Sequence, residues 1–339
     1  PISVGTATLD LCGSTLSVAG SAQVFTVAGG AVISGIIDGL NGAHTAYPSE
    51  ILASTGSRIR DITYQNFAGV LANTQTYCIM LPMWGALDFV IERVKFVNIT
   101  QQDNGAVAGQ GFVGGIYFTS PSLGTQANVT RGVVRDIYGQ DVKSVDAGSG
   151  VAQDSDLIRS YYSGADDLSA LNWPITFENI TARNVGKRVL KLGAMNGGVI
   201  SGVWALKDDG ATEKMYSGMS ISGNRWTINN VQIGGEIERG LELTGEDCVV
   251  DGVVYATTAG TASTYAILLG SSVGVARRCT VTNVDTKDAA AAVYFYDAFD
   301  CIVNGVICRG TTNSVVVRTF NASTGNANTL MNVVSDNAG

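Results

Sequence analysis

The sequence predicts an all-β fold, a single-stranded right-handed parallel β-helix of about eleven rungs. Three observations predict it. A four-residue corner motif returns eleven times, the spacing between returns never falls below 22 residues, and a second short apolar run follows many of the motifs. Self-similarity of this kind decides architecture before any local preference does.

The motif is an apolar residue, any residue, then Gly, Asn or Asp, then Ile or Val. In chain order it begins at Ile33, Ile59, Ile91, Val134, Phe177, Ile200, Ile228, Val250, Val281, Val303 and Leu330. The third position is Gly, Asn or Asp in ten of the eleven, with Arg93 as the exception. Two apolar side chains three apart cannot both face inward on a straight strand, because strand side chains alternate. They can if the chain bends between them through a residue at positive φ, which Gly, Asn and Asp tolerate best. Each motif is therefore expected to read as strand, sharp corner, strand. The second runs are Val189–Leu192, Leu241–Leu243, Ile267–Leu269, Val293–Phe295 and Val315–Val317. A coil with three short strands that pairs with its neighbours buries an apolar face only by stacking. Leucine-rich repeats and propeller blades fit less well, because the Leu signature is missing and several units are half a blade long.

The spacings between motifs are 26, 32, 43, 43, 23, 28, 22, 31, 22 and 27 residues. The two of 43 place the largest corner insertions near 101–132 and 139–174. The chain reads as one domain, 1–339. It is in repeat almost at once and to its end without a convincing cap, which suggests a fragment of a longer protein.

Composition narrows the function. With 45% hydrophobic and 15% charged residues, the chain is globular and strand-dominated, and no apolar run reaches membrane-span length. A formal charge of −8 and the lack of a basic stripe argue against nucleic acid as a partner. Cys248, Cys279 and Cys301 each lie five residues before the end of their motif, so they are expected to stack as a column of small buried hydrophobes. Without Cys-x-x-Cys no zinc site is expected, and reduced thiols suit synthesis in a cytoplasm. The single histidine, His44, would alone have to carry any Ser-His-Asp or His-metal chemistry, and it reads as a loop residue. Neither a phosphate loop nor a dinucleotide fingerprint is present, so no cofactor is expected.

Carboxylates are then the best-supplied catalytic groups. Glu242 lies between Leu241 and Leu243, so alternation points it outward from a rigid strand. Asp166 and Asp167 follow Gly164 within the second insertion, and Glu213 belongs to a smaller one. Two carboxyls about 5 Å apart suit retaining glycoside hydrolysis, and about 6.5–9.5 Å inverting hydrolysis. The same alternation gives an outward column of Tyr117, Arg159, Lys191, Glu242, Leu268 and Tyr294. With Tyr161 and an outward Trp204, these residues offer flat apolar faces beside charge, which suits sugar rings. The expected catalytic groups are Glu242, Asp166, Asp167 and Glu213; the expected substrate-binding groups are Tyr117, Arg159, Tyr161, Lys191 and Trp204.

The corner pattern, the irregular insertions and the stretch from Thr8-Leu9-Asp10-Leu11-Cys12-Gly13 through Val32-Ile33-Ser34-Gly35-Ile36-Ile37-Asp38-Gly39 resemble the pectin-lyase-like superfamily, and within it bacteriophage tailspikes. The resemblance covers the whole chain as architecture. It implies a homotrimer on the tail of a virion, made in the bacterial cytoplasm, that binds and depolymerises a bacterial surface polysaccharide, capsule or O-antigen. The head-binding N-terminal part and the C-terminal trimerisation segment of such spikes are not seen here, and no calcium ligands can be matched. Hydrolysis is the favoured reaction. The alternatives are a polysaccharide lyase with Lys191 or Arg159 as base and a Tyr as acid on a uronic-acid substrate, and an adhesin or fibre that binds glycan without cleaving it.

Overall fold

The computed structural model describes residues 2–18, 25–40, 43–44, 51–69, 76–82, 86–103, 112–119, 130–146, 155–161, 174–193, 195–208, 215–258, 264–272, 274–310, 315–319 and 327–335. It is an all-β parallel β-helix, in two compact units. Among the described residues there is no helix long and apolar enough to cross a membrane.

The first unit comprises residues 1–164 and 173–187. One of its sheets runs through Ile2–Gly5, Phe25–Val27, Ile51–Ala53, Thr76–Pro82, Val113–Thr119 and Ser155–Tyr161. The other runs through Thr8–Asp10, Ala31–Asp38, Arg58–Gly69, Leu87–Asp103, Arg131–Asp146 and Ile175–Arg183. Consecutive strands of each sheet pair in parallel, one rung apart. The range 101–132 therefore contains the strand Val113–Thr119, and 139–174 contains Ser155–Tyr161. The remaining length between the strands of these ranges falls mostly outside the described residues.

The second unit comprises residues 165–172 and 188–339. Its short-strand sheet is Arg188–Gly193, Met215–Ser222, Ile237–Leu243, Tyr265–Leu269, Ala291–Phe295 and Val315–Thr319. Its long-strand sheet is Gly198–Lys207, Trp226–Gly235, Val249–Thr257, Thr280–Lys287, Ile302–Arg309 and Thr329–Ser335.

The corner motif does what its chemistry requires. The third residue has positive φ in ten of the eleven motifs, from 50° at Asn332 to 74° at Gly252, Arg93 included at 52°. The first motif differs: Ser34, at φ 58°, makes the bend, one residue early. Gly35 is needed there for room, since a Cβ on it would collide with the Leu11 side chain. The ladder does not break into two strands at the corner, as expected from sequence, but steps over the bent residue and continues, so that Glu92 pairs with Arg135 and Val94 with Ile137. The apolar positions consequently stack in columns. Ile200, Ile228, Val250, Val281, Val303 and Leu330 form one, and Val203, Val231, Val253, Val284, Val306 and Val333 another. All but the last member of each are buried, and each buried aliphatic stabilises the coil by about 1.5–3 kcal/mol.

A second bend was not anticipated. Asn66, Asn98, Asp141 and Asn184 have positive φ five residues after a first corner. Asn98 thus has a structural reason to be Asn. The three cysteines lie buried and free, and each thiol donates to a backbone carbonyl: Cys248 to Gly223 at 3.4 Å, Cys279 to Gly245 at 3.2 Å and Cys301 to Ala276 at 3.7 Å. Cys279 is pushed up to about 12, its hydrogen bond with Cys248 being the largest cause and burial adding to it.

Candidate functional site

The short-strand sheet of the second unit presents an outward column. Lys191, Ser220, Glu242, Leu268 and Tyr294 pair in register along it. The neighbours on either side point the other way: Leu190 and Leu192, Met219 and Ile221, Leu241 and Leu243 are all buried. Alternation therefore holds Glu242 on the outer face with a backbone that cannot rotate it away.

Three residues earlier on these strands stand Arg188, Arg239 and Tyr265. Regular alternation would put them on the opposite face. One residue per strand is skipped in the ladder, however: Arg239 pairs with Tyr265 and Leu241 with Ile267, while Gly240 and Ala266 pair with nothing in it. Glycine is required at this step, because a Cβ on Gly240 would collide with the Ala266 carbonyl oxygen. The irregularity brings Arg188, Arg239 and Tyr265 beside the column, where they line the same groove of about 570 Å³.

Glu242 is 7% exposed, at the groove surface. Arg239 Nη1 donates to Glu242 Oε2 at 3.2 Å and also to the Tyr216 hydroxyl. The Arg239 guanidinium lies 4.2 Å from the Tyr216 ring centroid and that of Arg188 lies 5.2 Å from it. Burial raises the Tyr216 phenol above its ordinary pKa and the charge of Glu242 adds to this, while the two arginines oppose it. The shift favours the protonated phenol, the form an ordinary tyrosine already takes at neutral pH. A second aromatic group walls the groove. Tyr265 and Tyr294 have centroids 4.7 Å apart, and Tyr296 meets Tyr294 edge-on at 5.7 Å. Ser220, Ser222, Thr244 and Ser271 add hydroxyls. The groove thus combines a fixed carboxylate, a phenol proton donor, cations and aromatic faces.

Of the residues singled out from sequence, Lys191, Glu242, Leu268 and Tyr294 meet here. Trp204 does not. It is outward, at 54% exposure, but it lies on the long-strand sheet, where it pairs with Gln232. It directly follows a corner, and that portion of the rung belongs to the other sheet. Tyr117 and Arg159 are in the first unit and pair with each other as expected. Arg159 is nevertheless covered, at 3% exposure, with Phe112 4.2 Å from its guanidinium and Asp156 at 3.7 Å, so it does not present itself to a ligand. Tyr117 is half-buried and stacks on Tyr77 at 4.3 Å. Tyr161 ends a strand, and its side chain, like that of His44, lies outside the described residues. Asp166, Asp167 and Glu213 also lie outside them. Sequence reasoning missed Arg188, Ser220, Arg239, Tyr265 and Tyr296, and it had Tyr216 only as a member of the smaller insertion that holds Glu213. Met219-Ser220-Ile221 carried the alternation signal for one of them; the skipped ladder position hid the arginines. Among the described residues no group of three or more His, Cys, Asp or Glu gathers to hold a metal ion.

No family model matches the chain, and no curated protein sequence does. Solved structures do. The GH136 lacto-N-biosidase from Eubacterium ramulus matches with a TM-score of 0.50 and 10% identity, over 93% of this chain and 59% of that one. PfbA, a surface adhesin of Streptococcus pneumoniae, matches at 0.40 and 11%, over 91% and 85%. The catalytic unit of a thermostable GH87 α-1,3-glucanase from Streptomyces thermodiastaticus matches at 0.35 and 12%, over 97% and 62%. The first of these likenesses supports the fold; none assigns an activity.

Proposed function

We propose that the groove of the second unit binds a polysaccharide and that the protein cleaves it, with Glu242 as a catalytic carboxylate and Tyr216 as a proton donor. The observation that carries this reading is Glu242 held by Arg239 on a rigid strand, beside the phenol of Tyr216 and the rings of Tyr265 and Tyr294. Sugar rings offer apolar C–H faces and many hydroxyls, and the aromatic wall and the serine and threonine hydroxyls match both. The Eubacterium ramulus lacto-N-biosidase supplies an analogy of fold, which by itself carries no function.

Glycoside hydrolysis is the favoured reaction. It calls for a second carboxyl opposite Glu242, and Asp166, Asp167 and Glu213 are the candidates. One observation favours β-elimination instead: Glu242 is the only carboxylate among the described lining residues, whereas Lys191 and Tyr216 are both there. Lys191 would then take the proton next to the sugar carboxylate, the bond to the leaving oxygen would break, and Tyr216 would protonate that oxygen.

The resemblance in the corner pattern supports a finer reading, a homotrimeric phage tailspike acting on a capsule or O-antigen at the host surface. Light scattering tests the assembly: the tailspike reading expects about three times the chain mass of 35.2 kDa, and a monomer contradicts it. The activity is tested by incubating the protein with a panel of bacterial capsular and O-antigen polysaccharides. New reducing ends without ultraviolet absorbance indicate hydrolysis, and both together indicate elimination. Binding without either leaves an adhesin.

A further inference from the structure

One nitrogen of Arg239 serves both reacting oxygens of the groove. Nη1 donates to Glu242 Oε2 at 3.2 Å and to the Tyr216 hydroxyl. A phenol oxygen that accepts such a bond keeps its own hydrogen for another acceptor. The donor also stands where negative charge develops once that hydrogen is given away, and a guanidinium N–H stabilises a phenolate more strongly than a phenol. Tyr216 follows this pattern. Burial is the largest influence and raises it, while the charge of Arg239 and its hydrogen bond both oppose the rise.

Arg239 occupies this place against two ordinary preferences. Three residues before Glu242, it would face inward on a regular strand, and the ladder step at Gly240 brings it beside the column. Its Nε is buried and has no acceptor among the described residues, a cost that a purely structural ion pair has no reason to carry. The guanidinium also lies 4.2 Å from the centroid of the Tyr216 ring, so one side chain fixes both the ring and its hydroxyl oxygen.

We infer that Arg239 is the positioning residue for proton donation: it directs the Tyr216 hydrogen away from itself and stabilises the phenolate left when that proton passes to the leaving oxygen. Water returns the proton before the next turnover. This rests on the reading of Glu242 and Tyr216 as the reacting pair, and the experiment separates the two. With a polysaccharide from the panel, kcat and KM are measured for the protein, Tyr216→Phe, Arg239→Ala and the double variant, with circular dichroism confirming each fold. Arg239→Gln, which fills more of the space, is measured beside Arg239→Ala. Both arginine variants should lower kcat about 10²-fold, with KM within about threefold of wild type. In the Tyr216→Phe background Arg239→Ala should cost at least about tenfold less. Guanidinium at a low, non-denaturing concentration should restore about tenfold to Arg239→Ala and nothing to the double variant. A wild-type kcat in the arginine variants, an equal loss in both backgrounds, or a loss confined to KM overturns the inference and leaves the reacting pair standing. Full activity of Tyr216→Phe removes the proton donor and the inference with it. A wild-type protein that cuts no polymer in the panel overturns the cleavage reading and the inference together.

Discussion

Arg159 in the first unit and Glu242 in the second hold the same outward position on their strands, and each has its counter-ion three residues earlier. The charges are exchanged: Asp156 precedes Arg159, and Arg239 precedes Glu242. The first pair is sealed, Asp156 at 0% and Arg159 at 3% exposure, with Phe112 against the guanidinium. The second opens into a groove lined by tyrosines and serines. One position of a repeat is therefore closed in one unit and open to a groove in the other, and what covers it decides which. The corners of both units stack in the same way: Arg93 on Asp61 at 2.7 Å and Asn179 on Asp136 at 3.0 Å in the first, Arg278 on Asp247 at 2.7 Å and Asn332 on Asn304 at 2.7 Å in the second. Described aromatic pairs inside the first unit, Tyr64 with Phe96 and Phe118 with Phe177, contrast with the aliphatic columns of the second.

The comparison breaks if the two ion pairs respond alike to neutralisation. Asp156→Asn removes the carboxylate 3.7 Å from a buried guanidinium and should cost about 3–5 kcal/mol, read from the urea midpoint. Glu242→Gln keeps the shape of the side chain and borders the groove beside an Arg239 that is 20% exposed, so it should cost less, about 1–2 kcal/mol. Similar losses for both would contradict the distinction. The cores give a second contrast. Phe177→Ala in the first unit should lose about 3–5 kcal/mol, and Ile228→Val in the second about 0.5–1.5 kcal/mol.

Smaller effects test the corners. Gly252, at φ 74°, has room for a side chain but not the backbone freedom of one, since a Cβ would meet nothing closer than 3.7 Å. Gly252→Ala should cost about 1–2 kcal/mol through that φ alone. Gly252→Asn should cost clearly less, as Asn already occupies the alternate rungs at 230, 283 and 332. Equal costs would show that space and not backbone strain governs the corner. The smallest effect is one of pH. The Glu92 carboxyl is held below the usual glutamate value of 4.5, first by its hydrogen bond with Arg135. Its contribution is full above that value and is lost as pH falls through the lower folded value. Glu92→Gln should therefore flatten the loss of stability below pH 4.5, and a melting curve parallel to wild type there would contradict it.

Much of this fold could be read in the chain because its rules are local. A bend between two apolar residues needs Gly, Asn or Asp, and alternation then fixes which residues face out, Lys191, Glu242 and Tyr294 among them. Ser34 shows the limit: packing against Leu11 takes Gly35 out of the bend, and no local pattern announces that. Arg188 and Arg239 escaped because the ladder skips a residue at Gly240, a choice forced by backbone approach across rungs. Trp204 has the right direction on the wrong sheet. The cover over Arg159 comes from Phe112, in another strand's approach, so its burial is tertiary information.

The central claim is that Glu242, and not the sealed pair of the first unit, does chemistry on a polysaccharide. Its most direct test is the initial rate of chain cleavage on a polysaccharide that the wild-type protein cuts, followed by reducing ends with Glu242→Gln at matched folding. The account predicts a loss of about 10²-fold or more, with binding of the polymer retained. A variant that cuts at the wild-type rate would contradict it.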